Sequence, residues 1–574
     1  MVTNNQKHAF RFIYHKELIP KDFILDLTLS KSILDDLAKK LNTIHKTSYS
    51  NTFWEALLFP NVQLILERLY DRFIFFSSIK IEDLESLKFK NFDNIFLNYD
   101  GTEFFSQDDI IEIVIQSKIV DFLRDNSISG TEKLVPKQTI QNNKKSRIIA
   151  LKDSVKDILR PISYIFLGRL FKGFGDNESK FYLREFIPKA FLESKSVSEF
   201  RSLSKLAKLI SARKFFFDLR YKFKLNIKKK FFNIRHSAIE LEKVPQIVEP
   251  IDKYFFKFLN DNLMYFLPAF CLERFELFNK SLEKIEPQHL ITDSASYWDE
   301  FSRHIIAKAC ANKANILVFQ HGGGVGLDTK DSMSKIERAL CTRFIGWSNL
   351  NTDLEAGIIF RKSILDISTK KIILEGQLDQ PKTDILIIAP WFKEFHTYNH
   401  ALHPAEHENL ADILIQLIQD LRRINLNIEY RPYKLKVDRV SQSIKYRFGR
   451  IQNIHDQILH SRTIICTSIT THLAECILLN KYPLLIITDR AFNTFTDPVK
   501  EILNYLHAEN FLFRSSNEIF DSEIFSNSED FLNRINNPSD KIKNAFHNLI
   551  GYNLGSKNEF NRILKSFLKN SYKE

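Results

Sequence analysis

Gln320-His321-Gly322-Gly323-Gly324-Val325-Gly326 is the run most able to do chemistry. The chain has 15 glycines in 574 residues, and four of them fall within five consecutive positions here. Glycine lets backbone N–H groups come close to a ligand and form an anion-binding concavity. The run directly follows an apolar segment, Ile316–Phe319, that reads as a strand. In parallel α/β sheets, ligands bind just beyond the carboxyl ends of strands. The run is neither Gly-x-Gly-x-x-Gly nor a Walker A motif, so it is not a standard dinucleotide or triphosphate cradle. His321 at its head could be a general base, a hydrogen-bond donor to a bound ligand, or a structural histidine.

A second cluster is Cys466-Thr467-Ser468-Ile469-Thr470-Thr471-His472-Leu473-Ala474-Glu475. Its four hydroxyl residues stand where a helix should begin, and N-capping needs only one. Helix N-termini attract anions through free N–H groups and the helix dipole. Thr467, Ser468, Thr470 and Thr471 therefore read as phosphate ligands, and Glu475 as an acceptor for ribose hydroxyls. Arg431 and Lys434, in Tyr430-Arg431-Pro432-Tyr433-Lys434, follow another strand pattern and suit a phosphate or an ordinary charged surface. His396, His400, His403 and His407 are closely spaced, and His403-Pro404-Ala405-Glu406-His407 matches an inverzincin pattern. Proline favours the first helical position, so Pro404 should open a helix and leave His403 outside it. No acidic third ligand is evident, and no metal is expected.

These residues need elements to hold them. Leu27–Leu41, Trp54–Phe76 and Asp108–Asp125 carry apolar residues at helical spacing. Pro60 should kink or break the second. Gln288–Thr292, a helix over Ala295–Ala314, and Asn315–Phe319 make a strand–helix–strand pattern. Asp384–Ala389, Glu406–Arg423, Ile428–Arg431, Arg462–Cys466, Thr470–Leu479 and Tyr482–Ile487 repeat the alternation. Continuous apolar strands imply a parallel sheet covered on both faces. Asp540–Leu568 reads as terminal helices. The expected organisation is an N-terminal part over 1–364, a linker over 365–383, a second α/β domain over 384–539 and C-terminal helices over 540–574.

The 44% hydrophobic and 26% charged content is that of a globular protein, which excludes disorder, collagen or coiled coil as the main structure. The five cysteines form no Cys-x-x-Cys pair, and no signal peptide or membrane-spanning run is visible. A reducing, cytoplasmic setting is expected. The net charge of +12 fits an anionic partner. Arg213–Arg235 holds nine Lys or Arg, one acid and seven aromatics. Such a segment suits an anionic membrane surface, or else a buried strand followed by a solvated basic helix. No nucleic-acid-binding signature accompanies it, and no nucleic acid is expected.

The run FQHGGGVG, then Glu337, then Arg343-Phe344-Ile345-Gly346-Trp347, resembles a bacterial family of surface-carbohydrate transferases found in O-antigen gene clusters. That family has Tyr where Val325 stands here. Phe53-Trp54-Glu55 and Leu69-Tyr70-Asp71-Arg72 resemble its N-terminal motifs. Thr467–Glu475 with Tyr482-Pro483 resembles its C-terminal motif. The resemblance implies an α/β glycosyltransferase of the GT-B type, with two Rossmann-like domains facing a cleft. The second domain would hold the nucleotide-sugar donor, and the glycine loop would meet a glycan or lipid-linked acceptor. The hydroxyl-lined helix start also looks like the nucleotide site of CMP-sugar transferases that add sialic-acid-like or Kdo-like sugars. His321, Glu337 and Asp293 are the candidate bases, with no cofactor beyond the donor. Two other readings stay open. One is a transferase of a UDP- or GDP-sugar or of a non-sugar group. The other is a non-catalytic binder of membrane surfaces or nucleic acid.

Overall fold

Burial separates the two kinds of helix in this chain. The computed structural model describes residues 27–87, 109–131, 180–182, 201–202, 231–241, 250–283, 286–292, 300–320, 322, 324–329, 332–348, 350, 354–355, 383–390, 404–432, 438–444, 453–515, 517–518, 533 and 535–552. Helix α1 (Leu27–His45) hides one stripe, while α2 (Asn51–Ser77) is buried along nearly its whole length. Pro60 lies inside α2, which runs on through it. The expected break does not occur. One lost N–H bond and a ring clash cost about 3 kcal/mol. Each large apolar side chain buried along α2 returns about 1.5–3 kcal/mol.

The chain divides into two compact units, and the division falls inside strand β4, between Ile316 and Leu317. The first unit holds α1, α2, α3 (Asp109–Asp125), β1 (Lys180–Tyr182), β2 (Arg201–Ser202), α4 (Pro250–Asn262), α5 (Phe275–Ser281), β3 (His289–Thr292) and α6 (Glu300–Ala311). Its strands are parallel, in the order β2-β1-β3. Of the expected helix over 295–314, Glu300–Ala311 is helical, and residues 295–299 lie outside the described residues.

Charge is buried inside this unit. Glu112 on α3 accepts from Arg68 at 2.7 Å and from Arg72 at 2.9 Å, and all three are nearly inaccessible. Arg72 also pairs with Asp71, and Tyr70 donates to Asp252 at 3.1 Å. The Tyr70-Asp71-Arg72 run is therefore an interior ion network that ties α2 to α3 and α4. Arg235 is likewise interior, held by both oxygens of Glu273 at 2.6 and 2.9 Å. Within the basic segment, Phe231 and Arg235 thus face the core. Residues 213–230 lie outside the described residues.

The second unit begins with β4 (Asn315–Phe319), α7 (Ser332–Leu340), β5 (Arg343–Gly346) and β6 (Leu354–Glu355), with the strands parallel in that order. Then come β7 (Thr383–Ile388), α8 (Pro404–Arg423), β8 (Ile428–Arg431), α9 (Arg439–Ser443), α10 (Ile454–Leu459), β9 (Ser461–Cys466), α11 (Thr471–Leu478) and β10 (Leu484–Ile486). The last elements are α12 (Asp489–Thr494), α13 (Asp497–Ala508), β11 (Leu512–Phe513) and α14 (Asp540–Ile550). The expected linker lies outside the described residues except for Thr383, which opens β7. The terminal helix stops at Ile550, where Gly551 takes a left-handed conformation (φ 70°). Expected helix beyond Tyr552 falls outside the described residues.

Strands β7 to β11 form one parallel sheet of order β11-β10-β9-β7-β8. Ile385, Leu386 and Ile387 of β7 are fully buried, as a strand covered on both faces must be. The chain moves outward from β7 to β8, then crosses to β9 and proceeds the other way. The direction reverses between β7 and β9. In open α/β sheets this switch point, at the carboxyl ends of the strands, is where ligands bind.

Candidate functional site

Strand β9 ends at Cys466, and the turn after it stands at the switch point. Thr467 fixes that turn: its N–H and its hydroxyl both donate to Ile388 O, at 3.3 and 3.1 Å. Thr467 is buried beneath the turn. Ser468, Thr470 and Thr471 are half-buried in and just after the turn. Thr470 is the N-cap residue of α11, yet its side chain makes no capping bond. Neither the Ser468 nor the Thr470 hydroxyl makes a hydrogen bond among the described residues. Capping does not account for these hydroxyls, which stand beside the N–H groups of a helix start.

The glycine run meets this turn. A Cβ on Gly324 would lie 2.4 Å from the Ile469 carbonyl oxygen, so only glycine allows the approach. A Cβ on Gly322 would lie 3.9 Å from Thr471 Oγ1. Gly326 adopts φ 77°, a left-handed conformation suited to glycine. Two motifs far apart in sequence thus meet within the second unit.

Both ends of the loop are fastened. Gln320 is buried; its amide donates to Gly322 O at 2.6 Å and accepts from the Trp347 N–H at 2.7 Å. The Trp347 indole donates to Gln320 O at 3.0 Å. On the far side, Leu327 O accepts from Thr496 N at 3.0 Å and Thr494 O from Thr329 N at 2.8 Å. Thr494 Oγ1 also donates to Asp328 at 2.9 Å.

The other expected residues are distributed as follows. Arg431 ends β8 at the same edge of the sheet, half-buried, with its guanidinium donating to Gln457. Beside it, burial and the 2.7 Å bond to Asp438 push the Tyr430 phenol up, so it stays a neutral donor. Glu337 is buried on α7. Glu475 is buried on α11; its Oε2 lies 2.8 Å from His472 Nδ1 and its Oε1 3.3 Å from His455 Nε2. Its carboxylate therefore faces two imidazoles. His321, Gly323, Asp293 and Lys434 lie outside the described residues. Helix α8 is described from Pro404 onward, and His396, His400 and His403 lie outside the described residues. No group of three metal-binding side chains occurs among the described residues.

Sequence reasoning missed the His472–Glu475–His455 cluster and the Gln320–Trp347 clamp. The His-x-x-Glu spacing of the former, one turn of a helix, was a visible signal. The clamp had none, because backbone atoms make half of it.

These elements define a parallel α/β protein whose glycine run and hydroxyl turn meet near the switch point of its second unit. The model of the LIC12162 family transferases matches residues 15–521, and the chain belongs to that family. It is thus a member of a transferase family. No curated protein matches it. Among the described residues, no helix is long and apolar enough to cross a membrane.

Proposed function

We propose that the protein is a glycosyltransferase of bacterial surface-polysaccharide assembly, taking its sugar from a nucleotide-activated donor. The observation that carries this reading is the pair of uncommitted hydroxyls, Ser468 and Thr470, at a helix start against a glycine loop. The donor phosphate would accept from those hydroxyls, from Thr471 and from the N–H groups opening α11. As the bond to the sugar breaks, negative charge grows on that phosphate. Fixed donors and the helix dipole stabilise it without reorganising. Such stabilisation needs no metal, which fits a GT-B type of enzyme with two Rossmann-like domains.

Uncharged hydroxyls suit a monophosphate leaving group, which fits a CMP-activated sialic-acid-like or Kdo-like sugar. Arg431 and Lys434 would add positive charge along the same sheet edge. The acceptor, a glycan or lipid-linked sugar, would enter over Gln320–Gly326. His321, Glu337 and Asp293 are the bases that the sequence offers for its hydroxyl. In this reading the enzyme works in the cytoplasm, and the cations of 213–230 hold it near the inner face of the membrane.

A thermal-shift panel of CMP, UDP, GDP and their sugars tests the reading. A ligand that binds only the native state at a hundredfold excess over Kd adds about 2.7 kcal/mol of stability. CMP is expected to raise the melting temperature, and the double variant Thr470→Ala, Thr471→Ala to abolish that rise. If no nucleotide raises it, the donor reading is wrong.

A further inference from the structure

Glu475 is almost fully buried one turn into α11, with a carboxylate oxygen on each of two imidazoles. The contact with His455, at 3.3 Å, lacks hydrogen-bond alignment. The contact with His472, at 2.8 Å, is a hydrogen bond to Nδ1. An ionised carboxylate only accepts, so Nδ1 carries the proton. In the neutral ring this tautomer leaves the Nε2 lone pair available. The His472 side chain is 29% exposed, and its Nε2 makes no hydrogen bond among the described residues.

The place matters as much as the pairing. His472 directly follows Thr471, which the glycine loop approaches. The reacting carbon of a nucleotide-sugar is one bond from a phosphate oxygen. A base beside the phosphate therefore neighbours the reacting bond, on the face that a hydroxyl takes when it replaces the phosphate from the same side.

We propose that His472, oriented by Glu475, is the general base that deprotonates the acceptor hydroxyl. The inference rests on the nucleotide-sugar reading above and moves the base from the loop to α11. The hydroxyl proton passes to His472 Nε2 as the acceptor oxygen bonds the anomeric carbon. The bond from that carbon to the phosphate oxygen breaks, and its electron pair leaves on the phosphate. The imidazolium formed is stabilised by the Glu475 carboxylate, which keeps its charge. His455 backs the carboxylate on its other oxygen. If the pair only fastened the first turn of α11, its loss would lower stability and leave turnover per folded molecule unchanged.

Release of nucleotide from CMP-N-acetylneuraminate, CMP-Kdo, UDP-glucose and GDP-mannose, with water as acceptor, separates these possibilities in the full chain. His472→Asn keeps a donor to Glu475 and removes Nε2, so the fold is retained. It is expected to lower kcat about 10²- to 10⁴-fold, the usual worth of a general base, with KM within about threefold of wild type. Glu475→Gln is expected to lower kcat by less, again at unchanged KM. Wild-type kcat in His472→Asn, with the loss appearing in His321→Asn or Glu337→Gln instead, overturns the proposal and leaves the donor reading standing. A raised KM at unchanged kcat makes His472 a binding residue and also overturns it. If the wild-type chain releases nucleotide from none of the four donors, the donor reading falls and this inference with it.

Discussion

At the scale of single residues, backbone contact decides the site. Gly324 was legible as special because the chain is so poor in glycine. What it touches, the Ile469 carbonyl, was not legible, because no side chain takes part. Gly324→Ala forces the loop and the β9–α11 turn apart, since its Cβ would overlap that oxygen. Overpacking of this kind costs about 1–3 kcal/mol. Urea unfolding should show a loss of that size, together with loss of the nucleotide-induced thermal shift. His304 was wholly unforeseen. It sits among Phe270, Phe275 and Phe278, with Nδ1 3.0 Å from Glu300 O and Nε2 without a partner among the described residues. Burial, helped by nearby positive charge, pulls its pKa from 6.5 to about 3. Below pH 6.5 the unfolded chain then binds a proton that the folded chain refuses. Stability falls as pH drops from 6.5 toward 3, by about 2 kcal/mol between pH 7.5 and 5.0. His304→Phe should remove that loss, as read by urea unfolding at the two pH values, and should cost little at pH 7.5.

At the scale of elements, the strands were legible and the fastenings were not. Near-continuous apolar runs marked β7, β9 and β10 because both faces of their sheet are covered. Pro60 misled, because local propensity forbids what the burial of α2 outweighs. The end of α14 shows how a remote element can reach the site. Gly551 caps that helix with a left-handed φ, and a Cβ there would lie 1.8 Å from Trp347 O. Trp347 in turn holds Gln320 at the head of the glycine loop. Gly551→Ala should therefore unseat the C-terminal helix and loosen the loop together. The expected outcome is a red-shifted tryptophan emission and weaker nucleotide binding, although residue 551 is not placed among the ligand-binding groups.

At the scale of the whole molecule, two compact units carry different chemistry. The first buries Arg68, Arg72, Arg235 and Arg274 against carboxylates, so these cations add nothing to a surface field. Burial alone would raise the Glu112 pKa, but Arg72 and Arg68 outweigh it and bring it to about 2. Such an ion cluster leaves little sequence signal, since its residues also occur on solvated helices. The second unit holds the switch point and the meeting of the glycine run with the hydroxyl turn. There the two motifs were legible one by one; their meeting depended on a strand order that no local pattern encodes. The central claim is that a phosphate sits between Ser468, Thr470 and the glycine loop. Calorimetric titration of the full chain with CMP and with cytidine tests it most directly, because the two ligands differ only by that phosphate. CMP should bind at least tenfold more tightly, about 1.4 kcal/mol, and Ser468→Ala with Thr470→Ala should narrow the difference while leaving stability intact. Equal binding of CMP and cytidine, or a difference unchanged in the double variant, would contradict the account.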